Sequence, residues 1–239
     1  MEQMIAPPKI MVGGLTRLTT VDFPGYLAAI IFTQGCPWRC RYCYNWPLLN
    51  PAEETAISWV EVMDFLARRR VLLEGVVFSG GEPTFWPHLS DYIREVRQLG
   101  FAVALHTNGA YPEQLLSLLE ERLVDWVALD LKAPFDDYQR INGIPGSGNT
   151  VRRSMELVLQ TRVPCEMRTT IHPELLTIQD ILTIARSVFE AGVKRYVLQK
   201  CRTEYSLDPD LRARKCDFED YLRRLRPELD RISPSIEIR

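Results

Sequence analysis

The chain has 239 residues, about one and a half times the usual domain length of about 150, which leaves one large domain or two small ones open. Its 29 Lys and Arg against 31 Asp and Glu give a formal net charge of −2, which argues against attachment to nucleic acid or anionic lipid through bulk charge. With 46% hydrophobic and 25% charged residues it is too apolar for a disordered chain and can bury a substantial core.

The start, Met1-Glu2-Gln3-Met4-Ile5-Ala6-Pro7-Pro8, carries neither a basic nor an apolar leader region, and the run 26–32 is too short to cross a bilayer. A cytoplasmic protein without a membrane or nucleic-acid partner is expected. Residues 1–25 read as an N-terminal extension. After them, short runs rich in Val, Ile and Phe predict strands over 27–33, 75–79, 102–107, 126–131, 165–171 and 195–199. Amphipathic patterns predict helices over 58–69, 89–99, 112–122, 151–161, 178–191 and 218–225. Six consecutive βα units favour an α/β fold with a parallel sheet curled into an open barrel, or else a doubly wound sheet. Both place active residues at the C-terminal ends of the strands. Arg68-Arg69-Arg70 closes a helical pattern and reads as a solvated helix end. Residues 202–239 are densely charged; eight basic and eight acidic residues between Arg202 and Arg231 cancel, so this stretch reads as a solvated helical tail to a single domain of residues 1–239.

Directly after the first predicted strand stands Cys36-Pro37-Trp38-Arg39-Cys40-Arg41-Tyr42-Cys43, a C-x3-C-x2-C spacing in the loop where a barrel carries its active site. A structural zinc would call for a fourth Cys or His nearby, and the next candidate is the distant His88. A disulfide scaffold is disfavoured by the odd number and by the sparse use of cysteine. Three thiolates suit a [4Fe-4S] cluster with one iron left open. Cys165, Cys201 and Cys216 lie far apart and read as packed or surface thiols, Cys165 at the opposite end of its strand.

Further along, Ser79-Gly80-Gly81-Glu82-Pro83 follows the second strand with two glycines that would let a backbone approach a ligand, although Gly-Gly also serves plain turns. His106 and Asn108 share a face at the end of the third strand, and Asn108-Gly109 is an ordinary turn pair. Asp130 and Lys132 point to one side of the fourth strand, as an ion pair or as a site for a zwitterion. Arg168, His172 and Gln199 are weaker candidates, of which Arg168 is retained and His172 is set aside.

The cysteine spacing, with the aromatic Tyr42 before its last Cys, resembles the signature of the radical S-adenosylmethionine (SAM) enzymes. Gly13-Gly14-Leu15, Asp22-Phe23-Pro24-Gly25, Phe32-Thr33-Gln34-Gly35-Cys36 and Tyr42-Cys43-Tyr44-Asn45 are similar to the activating proteins of anaerobic ribonucleoside-triphosphate reductase. The resemblance implies a partial, open (βα)6 TIM-like barrel of the radical SAM type, with Cys36, Cys40 and Cys43 as cluster ligands and SAM on the open iron. It further implies Tyr42 against adenine, the Gly80-Gly81-Glu82 segment at the SAM amino group, and Asn108 at the ribose. Asp130 and Lys132 would position SAM, and Arg168 would face its carboxylate and ribose. Valine at Gly80 or Gly81 is expected to block SAM while sparing the cluster. The implied activity is an oxidoreductase that accepts an electron from flavodoxin or ferredoxin, cleaves SAM to a 5′-deoxyadenosyl radical and makes a glycyl radical on its target, with no catalytic side chains beyond those holding cluster and SAM. Pyruvate formate-lyase or another glycyl-radical enzyme as target, and a small-molecule substrate, stay open as alternatives. Residues 44–79 contain no cysteine, which removes the ferredoxin-type insert of many relatives without choosing among the compact activases. A non-enzymatic cluster or zinc module is the remaining reading.

Overall fold

A computed structural model describes residues 9–52, 57–214 and 216–239. Its strands, β1 (Val12–Thr19), β2 (Ala28–Thr33), β3 (Gly75–Gly80), β4 (Ala102–Thr107), β5 (Trp126–Asp130), β6 (Cys165–Ile171), β7 (Tyr196–Lys200) and β8 (Glu237–Ile238), form one sheet in chain order. Sequential order is what a curling barrel requires and a doubly wound sheet does not give. β2 to β8 are parallel, β1 runs antiparallel to β2, and among the described residues no pairing joins β1 to β8, so the barrel is open.

The helices α1 (Trp59–Arg69), α2 (Leu89–Gln98), α3 (Pro112–Glu120), α4 (Gln139–Asn142), α5 (Ser147–Thr161), α6 (Ile178–Glu190), α7 (Pro209–Ala213) and α8 (Phe218–Ile232) follow the strands. α1 and α6 begin with reciprocal capping boxes, Ser58 with Glu61 and Thr177 with Asp180, which satisfy amide groups at the helix start. Alternation along the strands separates two layers. Ile31, Val76, Phe78, Val103, Leu105, Val127 and Leu129 turn outward into the main core beneath the helices. Ala28, Ile30, Val77, Ala104, Trp126 and Ala128 turn inward and close around Phe23. Phe23 is 2% exposed and stacks on Tyr26 at 4.1 Å between ring centroids. The lumen is thus filled with apolar side chains at one end and left polar at the other.

The extension read over residues 1–25 supplies β1 and the Phe23 plug. Gly13 and Gly14 hid the strand, yet a Cβ at Gly13 would lie 2.4 Å from Leu48 Cδ2, so a larger residue there would push the Leu48 side chain aside where β1 crosses the cysteine loop. α5 starts at Ser147, four residues before the expected 151, and α8 continues through Pro227 to Ile232 instead of ending at 225. The tail returns as β8 beside β7. Among the described residues, no helix is long and apolar enough to cross a membrane.

Candidate active site

The cysteine loop leaves β2 through Gly35, whose φ is +86° and whose Cβ would lie 2.7 Å from the Phe85 ring, so glycine is the residue that fits. Amides of Gly35 and Cys36 donate to the carbonyls of Leu48 (2.8 Å) and Leu49 (3.3 Å), folding the loop back on itself. Arg39 donates to the Cys36 and Trp38 carbonyls at 2.8 and 3.0 Å, and the Cys43 amide closes a turn on the Cys40 carbonyl. The outer side is fastened to α4 through Arg39 and Arg41 amides on the Asn142 and Ile141 carbonyls. Arg41 also pairs with Asp208 at 2.7 Å. Cys36, Cys40 and Cys43 all line one cavity of about 280 Å³ at the C-terminal ends of the strands.

Burial pushes the Cys36 thiol up to about 12 and those of Cys40 and Cys43 up to about 11. At Cys40 and Cys43 the strongest opposing influence is the Lys132 ammonium. Lys132 is 7% exposed, stands 3.3 Å from Asp130 Oδ2 and lies 5.6 Å from the centre of the Tyr42 ring. Burial works against its charge, but Tyr42, Asp130 and Cys40 outweigh burial and hold it well above its ordinary value. The ion pair expected from strand alternation is therefore present, and it sits inside the cysteine cavity.

The Gly80-Gly81 pair has a different first task from the one expected. Gly80 has φ +120°, and a Cβ there would meet the Thr33 carbonyl oxygen at 2.3 Å; at Gly81 it would meet the Gly35 carbonyl oxygen at 2.4 Å. Both glycines let β3 press against the backbone that launches the cysteine loop. Valine at either position would displace that loop, so the expectation that the cluster would be spared is corrected. Glu82 is likewise occupied by the protein. Its carboxylate accepts from the Thr84 amide (3.0 Å), Thr84 Oγ1 (2.6 Å), Thr107 Oγ1 (2.7 Å) and the Asn108 amide (2.7 Å). Burial pushes its carboxyl up against the pull of these bonds. Glu82 is a strut between the ends of β3 and β4, and its side chain is not free to take a cofactor. Asn108 points its amide at Cys36 Sγ, 3.5 Å away.

Arg168 lines the same cavity from β6. His106 Nε2–H donates to the Asp22 carbonyl at 2.8 Å, which leaves Nδ1 to accept from Arg168 Nη1 at 3.2 Å. Burial, then the Arg168 charge, hold His106 well below its ordinary value, so it is neutral. Beneath, Arg168 Nε donates to Glu166 Oε1 at 2.5 Å, and the guanidinium lies over the Trp126 ring. Glu166, fully buried and also 2.8 Å from Arg195 Nε, escaped the sequence reading. The alternation Glu166, Arg168, Thr170 along one face of β6 was the signal that could have found it. Cys165, Cys201 and Cys216 do not line this cavity. His172 packs away from it, its Nε2 3.3 Å from Cys216 Sγ.

The sequence pattern of the Radical SAM superfamily matches residues 30–188, the stretch that carries the cysteine loop, the glycine pair and the β4, β5 and β6 strand ends. The chain belongs to the radical SAM superfamily. A protein of Methanocaldococcus jannaschii named for glycyl-radical enzyme activation is 30% identical over 224 residues, covering 91% of this chain and 90% of its own. The pyruvate formate-lyase-activating enzyme of Staphylococcus aureus is 30% identical over 142 residues, 54% of this chain and 56% of that enzyme. Among solved structures, Streptococcus suis SuiB bound to its precursor peptide SuiA superposes with a TM-score of 0.68 at 16% identity, over 88% of this chain and 48% of SuiB. This chain thus spans most of the archaeal relative and about half of SuiB.

Radical SAM membership makes the chain an oxidoreductase and implies a [4Fe-4S] cluster and SAM. The site has the donor chemistry for both. Among the described residues, no three Cys, His, Asp or Glu side chains stand close enough to hold a single metal ion, yet three thiols share one cavity. A three-thiolate donor set on one cavity suits a cluster, where each thiolate meets a different iron. Asp130, Lys132 and Arg168 place one carboxylate and two cations on the facing wall, a charge set that complements the amino and carboxylate ends of an amino acid.

Proposed function

We propose that this radical SAM protein is a glycyl-radical enzyme activase whose target is anaerobic ribonucleoside-triphosphate reductase. The observation that carries the reading is the convergence of three thiols, Cys36 and Cys40 buried and Cys43 partly so, and the Asp130–Lys132–Arg168 wall on a single cavity at the strand ends. When bound, cluster and SAM supply one-electron reductive cleavage of a carbon–sulfur bond and, through it, abstraction of a hydrogen atom from the target.

The protein's own part is alignment and exclusion. Cys36, Cys40 and Cys43 hold the cluster, and Lys132 balances the negative charge of two of these thiolates. The backbone carbonyls at Gly80 and Gly81 accept from the amino group of SAM, that of Gly80 alongside the Asn45 amide it already holds, while Glu82 fixes the turn that carries them. Tyr42 presents its ring to adenine, Asn108 stands at the ribose with the amide hydrogen left over from the one directed at Cys36 Sγ, and Arg168, held by Glu166 and His106, presents its guanidinium to the SAM carboxylate. Trp38 and Tyr42, both buried beside the thiols, keep water from the cluster. A flavodoxin or ferredoxin supplies the electron.

The reductase as target rests on residues 13–50, which resemble its activating proteins; the archaeal relative named for glycyl-radical enzyme activation, which matches over nearly the full length of both chains, supports an activase without choosing its target. Pyruvate formate-lyase is the second reading, favoured by the Staphylococcus match over about half of each chain. Mixing reduced holoprotein, SAM and the reductase should produce a glycine-centred doublet in electron paramagnetic resonance. Deuterium at that α-carbon should pass into 5′-deoxyadenosine. A strong signal with pyruvate formate-lyase and none with the reductase would transfer the assignment to the second target.

A further inference from the structure

Beside the cysteine cavity lies a second cavity of about 590 Å³, and the two share the side chains of Tyr44, Thr170 and Gln199. Thr170 on β6 and Gln199 on β7 are register partners, one residue pair beyond Arg168 on the inward face. They stand at the doorway between the cavities.

The charged groups around the second cavity are engaged or offset. Lys200 places its ammonium over the Phe218 ring at 4.7 Å. Arg239 is paired with Glu237 at 3.0 Å and approaches Glu166 at 3.7 Å. Arg202 and Glu204 are both exposed and of opposite sign, so the rim selects neither anions nor cations. The Tyr44 hydroxyl accepts from the Arg202 amide at 2.5 Å. Among the described residues, the side chains of Thr170 and Gln199 make no hydrogen bond. An amide beside a hydroxyl, neutral and half-buried, offers at least two donors and two acceptors. That set is complementary to an extended polypeptide backbone, which presents N–H and C=O groups and no charge.

We propose that Gln199 and Thr170 are the backbone-docking pair for the target polypeptide, which enters through the second cavity and reaches the cofactor cavity past this doorway. The proposal rests on the activase reading and names where and by what chemistry that target is held. Main-chain recognition also suits a segment pulled out of its own fold, because its exposed amides need new partners on arrival.

The test uses reconstituted holoprotein, SAM and anaerobic ribonucleoside-triphosphate reductase, with Gln199→Leu, Thr170→Val and the conservative Thr170→Ser. The first two should raise KM for the reductase about five- to tenfold, the worth of a neutral hydrogen bond or slightly more, with kcat at saturating reductase retained. Thr170→Ser should restore the parental KM. The dissociation constant for SAM tells the cavities apart. A rise in that constant matching the rise in KM would assign the pair to the cofactor, and an unchanged KM in both apolar variants would remove it from target binding; either result overturns the proposal while leaving activation intact. Absence of a glycyl radical on the reductase with the parental protein overturns the reductase as target and moves the same KM measurement to pyruvate formate-lyase; absence on both overturns the activase reading, and the docking pair with it.

Discussion

Cys36 shows how a single residue can be legible in the sequence while its surroundings are not. The three cysteines fall within one short loop, and ligand chemistry alone makes that spacing meaningful. Replacing any one of Cys36, Cys40 and Cys43 with Ala should abolish iron loading, whereas Cys165→Ala, Cys201→Ala and Cys216→Ala should keep about four irons per chain. Iron and sulfide analysis after anaerobic reconstitution checks the contrast, and loss of iron with any of the latter three would place a fourth protein ligand on the cluster. Glu82 was harder to read, because Thr107 and Asn108, which occupy half its carboxylate, lie 25 and 26 residues on and meet it only once β3 and β4 pair. The second task of Gly80 and Gly81 was hidden for the same reason, since the Thr33 and Gly35 backbone they approach is more than forty residues earlier. Gly80→Ala should therefore cost about 2 to 4 kcal/mol through backbone displacement and loss of a positive-φ glycine. It should lower cluster content and SAM binding together; a variant that loads iron fully yet fails to bind SAM would return Gly80 to a purely ligand-facing role.

At the scale of elements, the six βα units were readable because most strands carry a short apolar run, the mixed β6 excepted, and each helix a periodic apolar face. β1 was not, since its glycines break the pattern, and β8 is two residues long, below any periodic signal. α4 and α7 are too short for the same reason. Besides the β1–β2 ladder and the Phe23 plug, the segment before β2 is tied to the sheet by the His106 bond to the Asp22 carbonyl, and that bond has a pH signature. His106 is held well below its ordinary value of 6.5 in the fold, so below about pH 6.5 the unfolded chain binds more protons than the folded one. Stability is complete above that pH and falls as the pH drops, by up to about 1.4 kcal/mol per unit from this group. His172, also lowered mainly by burial, acts in the same direction. Urea midpoints at pH 7.5 and 5.5 should differ in this sense, and His106→Gln should flatten the slope. A parental slope kept by the variant would assign the effect elsewhere.

For the whole molecule, one sheet in chain order means that the plug, the lumen and the cluster loop share a single framework. Phe23→Ala would open a void among Ile30, Val77, Ala104 and Trp126 and should destabilise the protein by about 3 to 5 kcal/mol. Unfolding followed by circular dichroism and by cluster absorbance should shift to the same lower midpoint; separate midpoints would show that the loop holds independently of the plug. The open seam has another consequence, for life in a crowded solution. A barrel that does not close carries two strand edges, each a template for joining another chain where it is unpaired; on β1 the Val12 end is already bridged by Ile57. β1 breaks its ladder with irregularities between Val12 and Gly14 and between Thr16 and Thr19, a device that twists an edge out of true. β8 offers only Glu237 and Ile238, with Arg239 and Glu237 paired beside it. Neither edge presents a long, flat, uncharged strand. The molecule can therefore keep its side open to a large protein target without inviting its own copies to add strands there.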